Sequence, residues 1–264
     1  MNQDFLTQKA NGFSAIVQAR MGATRLPGKV LLKIGDKPIL EHVISRIKQC
    51  RPQQLILAIP DGFDDDQLAA WAEISNVKFV RGSEDDVLAR YEKAVRFTDS
   101  DILIRVTADN PFVDPEIATR TIFELQKQNA DFAVMEKTPL GTTVEAFTRS
   151  AFDRILKLAV TKDEHEHITM TVWNNPDKFK ILQIQPSPHH VCEGLRLTVD
   201  TKKDLELARL IHRALAGDIR TVTLRDIVLY IRHNPLVTRI NGDVEQHMGE
   251  WLKERKASQN TLRI

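Results

Sequence analysis

The chain has 264 residues, and 37 Lys and Arg stand against 36 Asp and Glu, a formal net charge of +1. Hydrophobic residues make up 42% and charged residues 28%, which suits one large α/β domain or two small ones with a sizeable core. The near-neutral balance excludes a protein that grips nucleic acid or an anionic membrane by bulk charge, but it leaves room for a local anion site made of a few placed cations.

Residues 13–19 read as a buried strand, 38–49 as a helix with Pro38 in its first turn, and 54–59 as a second strand. A helix at 65–73, a strand at 77–81 and a helix at 84–97 follow. Residues 101–107 form the fourth strand, 115–128 a helix and 131–135 a fifth strand. Strands separated by helices of this length imply right-handed crossovers and a mostly parallel, three-layer sheet. The alternation then loosens. Strands are expected at 143–147, 179–185 and 195–199, and helices at 149–158, 162–173, 201–215, 224–233 and 244–256. Residues 257–264 read as a frayed end. Cys50 and Cys192 are too few for a disulfide framework and read as reduced thiols filling space. The polar start carries no signal-peptide run, and no window approaches the ~18–20 apolar residues of a membrane span. The expected setting is cytoplasmic, with no membrane and no nucleic-acid partner.

Ligands of parallel α/β sheets sit at the carboxyl ends of the strands. The first such loop, Gln18 to Lys29, holds Arg20, Arg25 and Lys29, the glycines Gly22 and Gly28, and the hydroxyl of Thr24. That composition suits a polyphosphate cradle, where glycines let the backbone approach and cations neutralise oxygens. It is not a Walker A loop, because five residues separate Gly22 from Gly28 and Val30 follows Lys29. It is not a dinucleotide fingerprint either. Asp109 follows the fourth strand, where a carboxylate is placed to hold a cation against phosphates. Asp114 before Pro115 reads as a helix cap. Ser83 reads as the cap of the next upstream helix, with Glu84, Asp85 and Asp86 in its first turn. Asp200 ends a short strand before a helix, which fits either a cap or a metal ligand.

The run Gln18-Ala19-Arg20, then Thr24-Arg25-Leu26-Pro27-Gly28-Lys29, then Gly35-Asp36-Lys37-Pro38-Ile39-Leu40, resembles the opening of the sugar-activating cytidylyltransferase family. That family includes the acylneuraminate and 3-deoxy-manno-octulosonate cytidylyltransferases, and the spore-coat polysaccharide biosynthesis branch is the nearest likeness. The likeness continues at Arg81–Tyr91, at Arg105–Pro115 and at Val199-Asp200-Thr201. It covers roughly residues 13–215. It implies a three-layer Rossmann-like nucleotide-diphospho-sugar transferase fold, with CTP as substrate, Mg²⁺ as cofactor and pyrophosphate as product. The implied partners are CTP and a small sugar, with two copies forming a homodimer.

On this likeness residues 1–12 are an N-terminal extension, 13–215 the catalytic domain and 216–264 a C-terminal helical extension. Ala19, Arg20, Gly22, Thr24, Arg25, Lys29 and Thr107 would meet the nucleotide, and Arg81 and Ser83 its base and ribose. Arg20, Lys29 and Asp109 would be catalytic, and Asp109 and Asp200 would be the metal ligands. Glu145, Glu166 and His167 would border the sugar. The chain departs from the family at Ala108, where glycine is frequent, and at Thr143, where an acid is frequent, which leaves the acceptor open. His165 and His167 lie about 200° apart on a helix, which argues against a zinc site. The reaction expected is CMP transfer from CTP to an acidic, nonulosonic-type sugar for surface polysaccharide or glycan biosynthesis. A sugar-1-phosphate nucleotidylyltransferase using another nucleotide, or an inactive nucleotide-binding module, are the competing readings.

Overall fold

Strand β1 (Phe13–Gln18) turns Ala15 and Val17 toward one layer and Ile16 toward the other, and all three are fully buried. A strand apolar on both sides has to lie inside a sheet covered twice. The computed structural model, which describes residues 12–215 and 221–245, has that form. A two-residue hairpin follows, β2 (Lys33–Ile34) and β3 (Lys37–Pro38), then α1 (Ile39–Gln49), β4 (Gln54–Pro60) and α2 (Asp66–Ile74). Next come β5 (Lys78–Gly82), α3 (Val87–Val95), β6 (Ile102–Thr107) and α4 (Pro115–Lys127). The second half contains β7 (Phe132–Met135), β8 (Glu145–Thr148), α5 (Arg149–Leu158), α6 (Lys162–Glu166), α7 (Met170–Asn174) and β9 (Ile181–Ile184). Helices α8 (Lys202–Ala214) and α9 (Leu224–His233) follow.

The seven-stranded sheet runs β5-β4-β1-β6-β8-β7-β9. The pairs β5–β4, β4–β1, β1–β6 and β7–β9 are parallel, while β8 is antiparallel to both neighbours. The chain therefore leaves β1 toward β4 and β5, then returns to its other side with β6. That reversal opens a crevice at the carboxyl ends of β1 and β6, where Gln18 pairs with Thr107. Helices α1, α4, α8 and α9 close one face of the sheet, and α3, α5 and α7 the other. No helix among the described residues is long and apolar enough to cross a membrane.

Several elements differ from the sequence expectation. Helix α3 begins at Val87, not at Glu84, because Asp86 is its cap and accepts from Ala89 N at 2.8 Å. Ser83 instead accepts from Asp86 N at 3.2 Å, within the preceding loop. The helix expected at 162–173 is two short ones. Residues 167–169 interrupt it, where the carboxyl-terminal cap His167 has left helical geometry and Thr169 donates across to Glu145. The expected strand at 195–199 is no strand of the sheet and makes a single isolated bridge, Arg196 with Leu140. Its backbone instead pairs Leu197 N with Leu140 O and Val199 N with Asp109 O, each at 2.8 Å. Thr201, not Asp200, caps α8. The helix expected at 244–256 and the frayed end at 257–264 lie outside the described residues, apart from positions 244 and 245.

Asp114 joins three elements while 2% exposed. It accepts from Glu116 N and Ile117 N at the start of α4 and from Leu224 N at the start of α9. The buried Arg46 guanidinium stands 3.7 Å away. Asp114→Ala should lower the unfolding free energy by about 3 kcal/mol, since it strands several buried donors and an uncompensated cation. Urea titration followed by circular dichroism measures this. A loss under about 1 kcal/mol would refute the bridging role.

Candidate active site

Gly28 sits at φ 66°, the left-handed region in which glycine carries no Cβ penalty. Its N–H donates to Met21 O at 3.0 Å, folding the β1 loop back on itself, and the turn Lys29–Leu31 follows. This geometry aims Lys29 inward. The Lys29 ammonium lies 2.6 Å from Asp109 Oδ2 and 2.6 Å from Asp200 Oδ1. Asp65, from the loop after β4, holds the same loop by accepting from Met21 N at 2.7 Å.

Asp200 carries three cations. Besides Lys29, it meets Arg25 Nη2 at 3.2 Å and accepts a short bond from Arg196 Nη2. Burial pushes the Asp200 carboxyl up, but Lys29, Arg196 and Arg25 more than offset this and hold its pKa below the usual range. Burial likewise pulls the Lys29 ammonium toward neutrality, and the two carboxylates over-compensate, so its pKa is raised. Both shifts favour the charged forms of Lys29 and Asp200.

Lys29, Asp109, Asp200 and Arg25 line a crevice of about 480 Å³ at the β1–β6 reversal. Of the residues expected there, Ala19, Arg20, Thr24, Arg25, Lys29, Thr107, Asp109, Glu166, His167 and Asp200 all border it. Four others do not. Arg81 turns to Asp66 at 2.6 Å and to the carbonyls of Pro60 and Gly62. Ser83 is occupied in its own loop turn. Gly22 backs onto the Glu84 carboxylate, which a Cβ would meet at 2.7 Å. Glu145 lies behind the wall, bonded to Arg105 at 2.6 Å and to Thr169 at 3.0 Å. A wider depression of about 880 Å³ opens at the amino ends of the strands, beside Asp101 and Arg149, away from these charges.

Sequence reasoning missed several wall residues. Arg105 lines the crevice and is held by Glu145 and by Gln18 Oε1 at 3.0 Å. The available signal was a cation inside a strand otherwise apolar on both faces. Arg90, 2% exposed, also lines it, and its Nη1 donates to Ser83 O at 2.7 Å. Arg196 gave no signal, since its role depends on a fold contact with Asp200.

The chain matches the cytidylyltransferase family profile over residues 14–222. It belongs to the cytidylyltransferase family. The Bacillus subtilis spore coat polysaccharide biosynthesis protein SpsF is 32% identical over 85% of this chain and 96% of its own. A 3-deoxy-manno-octulosonate cytidylyltransferase of Colwellia psychrerythraea is 26% identical over 60% of this chain and 58% of its own. A solved cytidylyltransferase from Leptospira borgpetersenii superposes with TM-score 0.80 at 27% identity, covering 89% of this chain and 99% of that one. The chain is thus a cytidylyltransferase enzyme with the family's Rossmann-like architecture.

Glu164 fixes α6, whose last residue, Glu166, and carboxyl-terminal cap, His167, border the crevice. It is buried, which raises its pKa, but bonds from Val160 N, Asn174 Nδ2 and Thr161 more than offset this and hold the carboxyl below its ordinary range. A carboxylate with a lowered folded-state pKa stabilises the fold above its unfolded value, and that stability fades as pH falls through the folded value. Glu164→Gln should therefore cost about 1–3 kcal/mol at pH 7 and progressively less in acid. Parallel urea titrations at pH 7 and below pH 4 test this. An equal penalty at both would contradict it.

Proposed function

We propose that this cytidylyltransferase moves CMP from CTP to a hydroxyl of an acidic, nonulosonic-type sugar for surface polysaccharide or glycan synthesis. The observation that carries this reading is the convergence of Lys29, Asp109 and Asp200 on one point, with Arg20 and Arg25 beside it, at the sheet's reversal. The acidic acceptor follows the likeness to the family branch and the Arg105 and His167 side chains in the crevice wall.

In this reading the sugar oxygen attacks the α-phosphorus, the bond from that phosphorus to pyrophosphate breaks, and the hydroxyl proton passes to solvent. Nucleotidyl transfer needs alignment and neutralisation more than covalent help. Arg20 and Lys29 neutralise the departing pyrophosphate, and Arg25 and Thr24 hold the phosphates in line. Arg105 is preoriented by Glu145 and Gln18, so ordering it at the moment of reaction costs little. Asp109 and Asp200 fit a hard divalent cation such as Mg²⁺. Two carboxylates from distant segments already face a single positive atom, each at 2.6 Å, and oxygen donors suit such ions. When bound, that cation supplies charge neutralisation at the phosphate oxygens.

A pyrophosphate-release screen over four nucleoside triphosphates and a panel of acidic and neutral sugars tests the reading. Turnover should require CTP and an acidic sugar. Turnover with another nucleotide on a sugar 1-phosphate would replace it, and tight CTP binding without turnover would mark an inactive module. Lys29→Ala should cost about 2–4 kcal/mol of transition-state stabilisation, seen in kcat, by analogy with loss of another preorganised donor. Asp109→Asn should abolish cation-dependent turnover with the fold unchanged by circular dichroism. Full activity of that variant would remove Asp109 from the cation site.

A further inference from the structure

Asp200 is gripped from below by a buried polar ring that reaches beyond the matched family span, which ends at residue 222. Asp204, fully buried, uses one carboxylate oxygen to cap α8, accepting from Asp200 N at 3.0 Å and Thr201 N at 2.9 Å. Its other oxygen accepts from Arg196 Nε at 3.0 Å and from Asn241 Nδ2 at 2.9 Å. Asn241 Nδ2 also donates to Arg196 O at 3.1 Å. Arg196, with its backbone and guanidinium both held, delivers Nη2 to Asp200 Oδ2.

A second contact comes from the same segment. Glu245 O accepts from Arg25 Nη1 at 3.1 Å, and the other arm of Arg25 meets Asp200. Residues 241–245 thus touch both arginines that hold Asp200. We propose that this C-terminal segment braces the site, with Asn241 as a positioning residue that sets the Asp200 carboxylate through Arg196 and Asp204. The inference rests on the reading that Asp200 helps hold the divalent cation.

The physical basis is a shortage of freedom. Asn241 is 3% exposed, so a side chain without a donor leaves Asp204 Oδ1 and Arg196 O short of a partner that water cannot easily replace. Arg196 Nη1 is buried without a partner, so the guanidinium is held through Nε and Nη2 alone, and Nε shares its acceptor, Asp204 Oδ1, with Asn241. Outer-shell partners of metal ligands typically tune affinity by about 10–100-fold.

The test is Mn²⁺ affinity, measured by electron paramagnetic resonance on the full chain, for wild type, Asn241→Ala, Asp200→Asn and the double variant. Asn241→Ala should weaken Mn²⁺ binding about ten-fold, while CTP affinity measured in chelator changes less than about two-fold. In the Asp200→Asn background, Asn241→Ala should have no further effect, because its influence passes through that carboxylate. Additive losses, or unchanged Mn²⁺ affinity in Asn241→Ala, would overturn the brace while leaving Asp200 in the site. An unchanged affinity in Asp200→Asn would instead overturn the cation assignment, and the brace with it. If Asn241→Ala does not fold, Asn241→Ser keeps a shorter donor and should show a smaller weakening in the same direction. Wild-type Mn²⁺ affinity in a folded Asn241→Ser would overturn the brace.

Discussion

One ammonium held by two carboxylates governs this molecule. Lys29 reaches Asp109 and Asp200, which lie 80 and 171 residues further along the chain. Three charges in a half-buried crevice are tolerable only as a matched set, because an unpaired member would retain its desolvation cost without compensation. Each segment that supplies a charge is therefore fixed elsewhere. Gly28 turns the first loop, the β1–β6 register places the second, and the capping network of α8 places the third.

The sheet order explains why these segments meet. β4 and β6 flank β1 in the sheet, so the strand order reverses at β1 and the crevice opens at the carboxyl ends of β1 and β6. The third charge, Asp200, arrives by another route. The stretch that carries Asp200 is not a sheet strand, yet Val199 N bonds to Asp109 O, so the two acids are tied through backbone as well as through Lys29. Gly141, at φ 93°, lets the neighbouring segment pass close to this stretch, where a Cβ would stand 2.5 Å from Thr198 N.

Local patterns in the sequence carried much of this. Apolar runs between helical stripes mark the parallel strands, and the composition of residues 18–29 marks an anion loop. Asp109 and Asp200 are visible as acids that end extended segments. What was not visible depends on partners far away in the chain. The antiparallel β8 has no local signature that separates it from a parallel strand. Arg81 carries a motif position but is drawn to Asp66, a competing acid whose proximity only the fold creates. The break at residues 167–169 overrides a helical pattern because Thr169 bonds to Glu145, 24 residues earlier. Arg196 and Asn241 show nothing in sequence, since Arg196 matters through Asp200 and Asp204, and Asn241 through Arg196 and Asp204.

The 171-residue span between Lys29 and Asp200 also sets a timetable for synthesis. At about 5–20 residues per second, Lys29 is made on the order of 10–30 s before Asp200. During that interval the first loop, the β1–β6 pair and Asp109 can assemble around a lysine with one of its two acids still missing. Until the start of α8 is made, Lys29 has only one of the two carboxylates that flank it in the finished enzyme.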